Sequence, residues 1–144
     1  DLDRCIEIGD TLMEKNKFAL EDFETFARMN TDFHELIIES AGNAALFLAL
    51  ETVNRLPFAS ASAFAKAQYV MPDGREVLFI AHAQHKTLVD AMKAGHGTRA
   101  EAIAAEHAQV TKNNLRALIA APNISKDILP TLHLVQKLHQ EKSR

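Results

Sequence analysis

Turn-forming residues are scarce in this sequence. Five glycines and four prolines serve 144 residues, too few for the many tight turns that an all-β fold requires. A single cysteine, Cys5, excludes an intrachain disulfide and suits a reducing compartment. No stretch resembles a signal peptide, and no apolar run reaches the roughly 18 residues of a membrane span. The expectation is a cytoplasmic protein with no membrane partner. Blocks of basic residues are also missing, and the formal net charge is −3, which argues against nucleic-acid binding by this segment alone.

What is present is ordinary globular usage, with 47% hydrophobic and 24% charged residues. The length suits one domain with a buried core. Ala, Leu, Glu, Lys and Gln recur throughout, and all are good helix formers. The unusual count is seven histidines.

The sparse punctuation divides the chain into helices. The first is predicted from about Leu2 to Lys15, with Ile6, Ile8, Leu12 and Met13 as its apolar residues. The second opens near Leu20 and closes at Gly42, a favourable residue just past a helix end. Its stripe of Phe23, Phe26, Met29, Phe33, Ile37 and Ala41 keeps close to a 3.6-residue period. A third helix runs from about Asn43 to Pro57, which ends it. "FASASAFAKAQYVM" reads as a short helix followed by a loop, and "PDG" at 72–74 as a turn. A long helix follows to Gly95, with Leu78, Ala81, His85, Leu88 and Met92 on one face. Thr98 then caps another long helix, with Glu101 as its capping-box partner, and this helix ends near Ala121. A final amphipathic segment carries Ile128, Leu132, Val135 and Leu138. The prediction is an all-α antiparallel bundle of six or seven helices with an internal metal or effector pocket.

Taken singly, a histidine on an apolar helix face is most often a hydrogen-bonded core or boundary residue. Pairing changes that reading. Asn30 and His34 are four residues apart and leave one helix face about a turn from each other. Gly95 and Gly97 punctuate a tight connection, so the flanking helices should run antiparallel. His85 and His107 lie equally far from that turn, about 15 Å along their helices at ~1.5 Å per residue. Two imidazoles meeting inside a bundle need a proton, a carboxylate or a metal ion between them, because burial without a partner is costly. With Asn30 and His34 the set is three nitrogens and one oxygen, which suits Zn²⁺, Ni²⁺ or a similar divalent ion. His82, one turn before His85, reads as a boundary residue or as a partner of a ligand. His96 sits in the turn, and His133 and His139 have no partners at matching spacing.

Two segments resemble a known family. "NTDFHELIIESAGN" at 30–43 is similar to the first signature of the FCD domain, the ligand-sensing C-terminal domain of GntR-type transcription regulators of the FadR and VanR subfamilies. "HKTLVDAMKAGHGTRAEAIAAEH" at 85–107 is similar to the second, with the same 22-residue interval between its histidines. The resemblance covers essentially the whole chain, 1–144, as one effector-binding and dimerisation domain. It implies zinc or nickel held by an Asp or Asn and three histidines, which fall on Asn30, His34, His85 and His107. It also implies a small carboxylate effector (an organic or sugar acid), a homodimer, and operator DNA contacted only through a winged-helix domain that is absent from this chain. On this reading the chain is a fragment of a longer regulator and is not an enzyme.

Departures from the family pattern are visible. Asn30 stands where many members have Asp, which removes a negative charge from the ligand set. Gln84 stands where Glu is usual, and His96 where an acidic residue is common; neither position belongs to the ligand set. Candidate effector contacts are Arg55, otherwise a solvated cation at a helix end, and Asn114, otherwise a satisfied boundary amide. The competing function is a helical mononuclear metalloenzyme, hydrolase-like, using a metal-bound water. It needs a general base beside the metal, and the nearby Asp32 and Glu35 are expected to point away from the Asn30–His34 face. A third reading is a plain dimerisation domain with incidental histidines.

Overall fold

The computed structural model describes residues 1–55, 62 and 65–120. Five α-helices and one 3-10 helix make up these residues, with no strand among them. They are α1 (Leu2–Met13), α2 (Leu20–Ser40), α3 (Ala44–Asn54), the 3-10 segment Lys66–Val70, α4 (Gly74–Lys93) and α5 (Gly97–Ala120). The expected count of six or seven helices is corrected to five α-helices among the described residues. Most of the Ala-rich stretch lies outside the described residues, and its end forms the 3-10 segment where a loop is expected. Its role is to bring the chain back over the start of α4. A Cβ at Gly74 would lie 1.9 Å from the Gln68 carbonyl oxygen, so only glycine tolerates that approach. The amphipathic segment carrying Ile128 to Leu138 lies outside the described residues, as does Pro57.

Local chemistry fixes most of the helix ends. The Asp1 carboxylate accepts from the Arg4 N–H at 3.0 Å, and the Asn43 side chain accepts from the Leu46 N–H at 3.0 Å. At the start of α2 the Asp22 carboxylate accepts from the Ala19 N–H and from the Lys15 ammonium. Gly42 ends α2 in the left-handed region, at φ 62°. Gly95 ends α4 at φ 69°. There the His96 N–H reaches the Ala91 carbonyl at 2.9 Å and the Gly95 N–H reaches that of Met92 at 3.0 Å, a complete Schellman motif. α5 starts one residue after that turn, so Thr98 stands inside the first helical turn and is not its cap.

The tight turn folds α5 back along α4, and these two helices form the most extensive packing in the domain. α1 lies against α2 and α4, and the 3-10 segment bridges α2 and α4. Phe23, Phe26, Met29 and Phe33 of α2 meet Cys5 and Leu12 of α1 and Leu78, Leu88 and Val89 of α4 in one core. Phe23 to Phe33 of the predicted stripe thus form the core face, Ile37 packs at its margin, and Ala41 is exposed just past the helix end. α3 packs against α2 and buries none of its side chains among the described residues; Leu46, Leu48 and Val53 are exposed.

Candidate metal centre

α2, α4 and α5 each bring one histidine to a common point. One nitrogen from each of His34, His85 and His107 lies within 4.8 Å of the other two. The closest pair is His85 Nε2 and His107 Nε2, 3.3 Å apart. Their match in level follows from the turn at Gly95, which leaves each a similar number of residues away in antiparallel helices. The His85 ring is fully buried. Phe33 stacks on it with centroids 4.1 Å apart, and the same phenyl ring meets His34 edge-on at 5.5 Å.

The protonation pattern follows from the partners. Gln84 Oε1 lies 3.0 Å from His107 Nδ1. A carbonyl oxygen only accepts, so Nδ1 of His107 carries the proton and Nε2 carries the lone pair. The contact with His85 then makes His85 Nε2 the donor, leaving its Nδ1 as a bare acceptor. That atom and His34 Nε2 are buried without a hydrogen-bond partner. Such orphaned polar atoms cost about 1–3 kcal/mol each.

Burial also holds the three rings neutral. Desolvation, with a smaller contribution from His107, pushes His34 down to about 4. Desolvation, then His107, His34 and His82, pushes His85 down to about 2. Desolvation lowers His107 as well. At pH 7 the cluster therefore offers neutral imidazole lone pairs, the form that binds metal.

The donor set fits a divalent cation. Zinc–nitrogen bonds of ~2.0–2.1 Å in a tetrahedron place ligand atoms about 3.3–3.4 Å apart, and the His85–His107 separation of 3.3 Å matches. The full spread of 4.8 Å is wider, so a side-chain adjustment closes the triad.

These depressed values fix the sign of a pH effect in metal-free protein. The unfolded histidines, at their ordinary value near 6.5, bind protons that the folded ones refuse. Stability is complete above that value and falls as pH drops toward the folded value of about 4 for His34. Each histidine contributes up to about 1.4 kcal/mol per pH unit. Urea unfolding of chelator-treated protein at pH 7 and pH 5 should therefore differ by about 2–4 kcal/mol. Equal midpoints at the two pH values would contradict buried neutral imidazoles.

Asn30 is buried one turn before His34, and its amide nitrogen donates to Ser62 Oγ at 3.1 Å. Ser62 in turn donates to the Ala27 carbonyl at 2.7 Å. This commitment leaves the Asn30 carbonyl oxygen as the atom available to a cation. Asn30 and His107 line the same small cavity, of about 40 Å³.

The two predicted effector contacts lie in different places. Arg55 lines a cleft of about 440 Å³ together with His34. It is largely exposed there and pairs with Glu51 one turn away. Asn114 lines the 40 Å³ cavity with Asn30 and His107, a space of the size that takes water. Glu35, expected to point away, lines the His34 cleft, where Glu39 and Glu51 join it. Three carboxylates against one guanidinium make that cleft acidic. Asp32 lies toward α1, beside Cys5.

Two neighbours of the cluster escape a reading by spacing. Gln84 was set outside the ligand set, yet it holds the outer nitrogen of His107. A polar residue directly before a candidate ligand was its visible signal. His82 is buried and not at a boundary, and its Nε2 lies 3.0 Å from Asp10 Oδ1. Lys86 also donates to Asp10, at 2.8 Å. Lys86 first and His82 second hold that carboxyl below its usual range. The space for His82 exists because α1 has glycine at position 9, where a Cβ would lie 2.1 Å from the ring. His96 is exposed in its turn as expected; His133 and His139 lie outside the described residues.

A family model of the FCD domain matches residues 6–110. The match takes in most of α1 and all three histidines of the cluster. Among curated proteins and among solved structures nothing matches. No helix among the described residues is long and apolar enough to cross a membrane. Matched over most of its length by that family's model, the chain belongs to the FCD-domain family.

Proposed function

We propose that this chain is the metal-binding, effector-sensing domain of a GntR-type transcription regulator of the FadR/VanR kind. Its ligands are Asn30, His34, His85 and His107, its ion zinc or nickel, and its effector a small carboxylate such as an organic or sugar acid. The domain pairs as a homodimer and alters how a linked winged-helix domain holds operator DNA. The observation that carries the reading is the convergence of three neutral imidazoles on one point, with His34 Nε2 buried there without a partner among the described residues.

Electrostatics adds a condition. The cleft beside His34 carries Glu35, Glu39 and Glu51 against Arg55, so the metal-free protein repels an organic acid. A bound divalent cation supplies the positive charge that reverses the local field and offers a carboxylate a coordination position. Effector binding then depends strictly on metal. Thermal unfolding with simple carboxylates (acetate, citrate, gluconate) tests this. At least one should raise the transition of zinc-loaded protein and leave chelator-treated protein unchanged. Equal stabilisation with and without zinc would remove the metal from effector recognition.

The metalloenzyme reading draws its support from Glu35, which lines the cleft where a general base would be needed. Membership of the FCD family favours the regulatory function. Turnover of model esters by zinc-loaded protein, abolished in Glu35→Gln, would reverse that order.

A further inference from the structure

Gln84 is half-buried on α4, and its Oε1 meets His107 Nδ1 on α5 at 3.0 Å. Its chain neighbour His85 meets the other nitrogen of the same ring at 3.3 Å. Adjacent residues of one helix therefore hold both nitrogens of His107. The two contacts are different in kind. The His85 contact is between two imidazole nitrogens, and either could donate. The Gln84 carbonyl can only accept, so it alone decides where the His107 proton sits.

We propose that Gln84 is a positioning residue that fixes His107 in its Nδ1–H tautomer and sets how tightly the cluster holds a divalent cation. The proposal rests on the reading of the cluster as a metal centre. A ligand imidazole needs its outer N–H held, both to orient the ring and to keep the inner lone pair on the metal. If Gln84 were replaced by an apolar residue, the Nδ1–H would lose its partner and the ring would lose its preferred tautomer. With a carboxylate at 84 the bond would be charge-assisted and roughly twice as strong, making Nε2 a better donor.

The amide is therefore the middle setting. Asn30, which lines the small cavity with His107, is a second neutral amide nearby, and the three histidines are also neutral. The two groups that hold the nitrogens of His107, Gln84 and His85, therefore carry no formal negative charge. A cation held this way keeps its full charge for an incoming anion and is held less firmly than an acidic shell would hold it.

The test compares wild type, Gln84→Glu and Gln84→Leu in two measurements. Long-range nitrogen–proton NMR of zinc-free protein reads the His107 tautomer without any metal. Competition against a chromophoric chelator reads zinc affinity. The expected results are an Nδ1–H tautomer in wild type and a mixture in Gln84→Leu. Zinc binding should weaken by about 10–100-fold in Gln84→Leu and tighten by about 10-fold in Gln84→Glu. The near-isosteric Glu variant keeps the test decisive where the Leu variant folds poorly. An Nε2–H tautomer in wild type, or one zinc affinity for all three proteins, overturns the role of Gln84. Wild type that takes up no zinc overturns the metal centre instead, and the tautomer measurement still judges Gln84.

Discussion

Zinc added to chelator-treated protein should raise its unfolding free energy by about 4 kcal/mol once the free ion stands a thousandfold above the dissociation constant. For a chain of this size that is a rise of roughly 10 °C in the thermal midpoint. The physical basis is that the ion binds a site which the unfolded chain does not hold together. His34, His85 and His107 come from three helices, so unfolding separates them and releases the ion. The effect also removes a defect, because His34 Nε2 is buried without a partner among the described residues. Differential scanning calorimetry with zinc, nickel and magnesium checks it. Zinc and nickel should stabilise, while magnesium, which prefers oxygen ligands and keeps its waters, should not. A transition insensitive to all three ions would show that the imidazoles are core residues only.

Phe33→Ala should cost about 3–5 kcal/mol, the range for emptying a buried phenyl site. Against the 5–15 kcal/mol that stabilises a typical domain, this is a large share. Phe33 has no exposed surface. It packs within the shared core of α1, α2 and α4, so its loss opens a cavity. Its second effect separates it from any other core residue. The ring stacks on His85 at 4.1 Å and bounds His34 at 5.5 Å, so removing it frees two of the three imidazoles to turn. Leu12→Ala is the control, a buried core truncation on α1, a helix that brings no histidine to the cluster. Both variants should lower the urea midpoint, and only Phe33→Ala should also weaken zinc uptake. Equal zinc affinity in the two variants would show that Phe33 supports the fold without ordering the site.

The parts of this architecture that were legible in the sequence are those set by regular geometry. The stripe on α2 gave its buried face because side chains at 3.6-residue spacing share one side. The meeting of His85 and His107 was readable because both sit at equal distance from the Gly95 turn. Other features depend on contacts that spacing does not encode. His82 is buried through a glycine on α1, 73 positions earlier in the chain, and is held by Asp10 at 3.0 Å. The role of Gln84 depends on the side-chain register between α4 and α5, finer than a helical turn. The 3-10 segment Lys66–Val70 falls where the sequence reads as loop, because its five residues are too few to show a helical period. α3 spreads its apolar residues around the helix instead of along one stripe, so its sequence names no single buried face. Arg55 is a candidate by its place at the end of the third helix and Asn114 by following His107 on one face, but the first lines the acidic cleft and the second the small cavity with His107.

The claim on which the rest depends is that His34, His85 and His107 form a metal centre. Elemental analysis after zinc loading and exhaustive dialysis tests it most directly, with wild type beside the His85→Ala, His107→Ala double variant. Circular dichroism confirms that both preparations remain helical. The account predicts about one zinc per wild-type chain and none in the variant, since one ligand set binds one ion. Wild type without zinc, or a helical variant that retains it, would contradict the account.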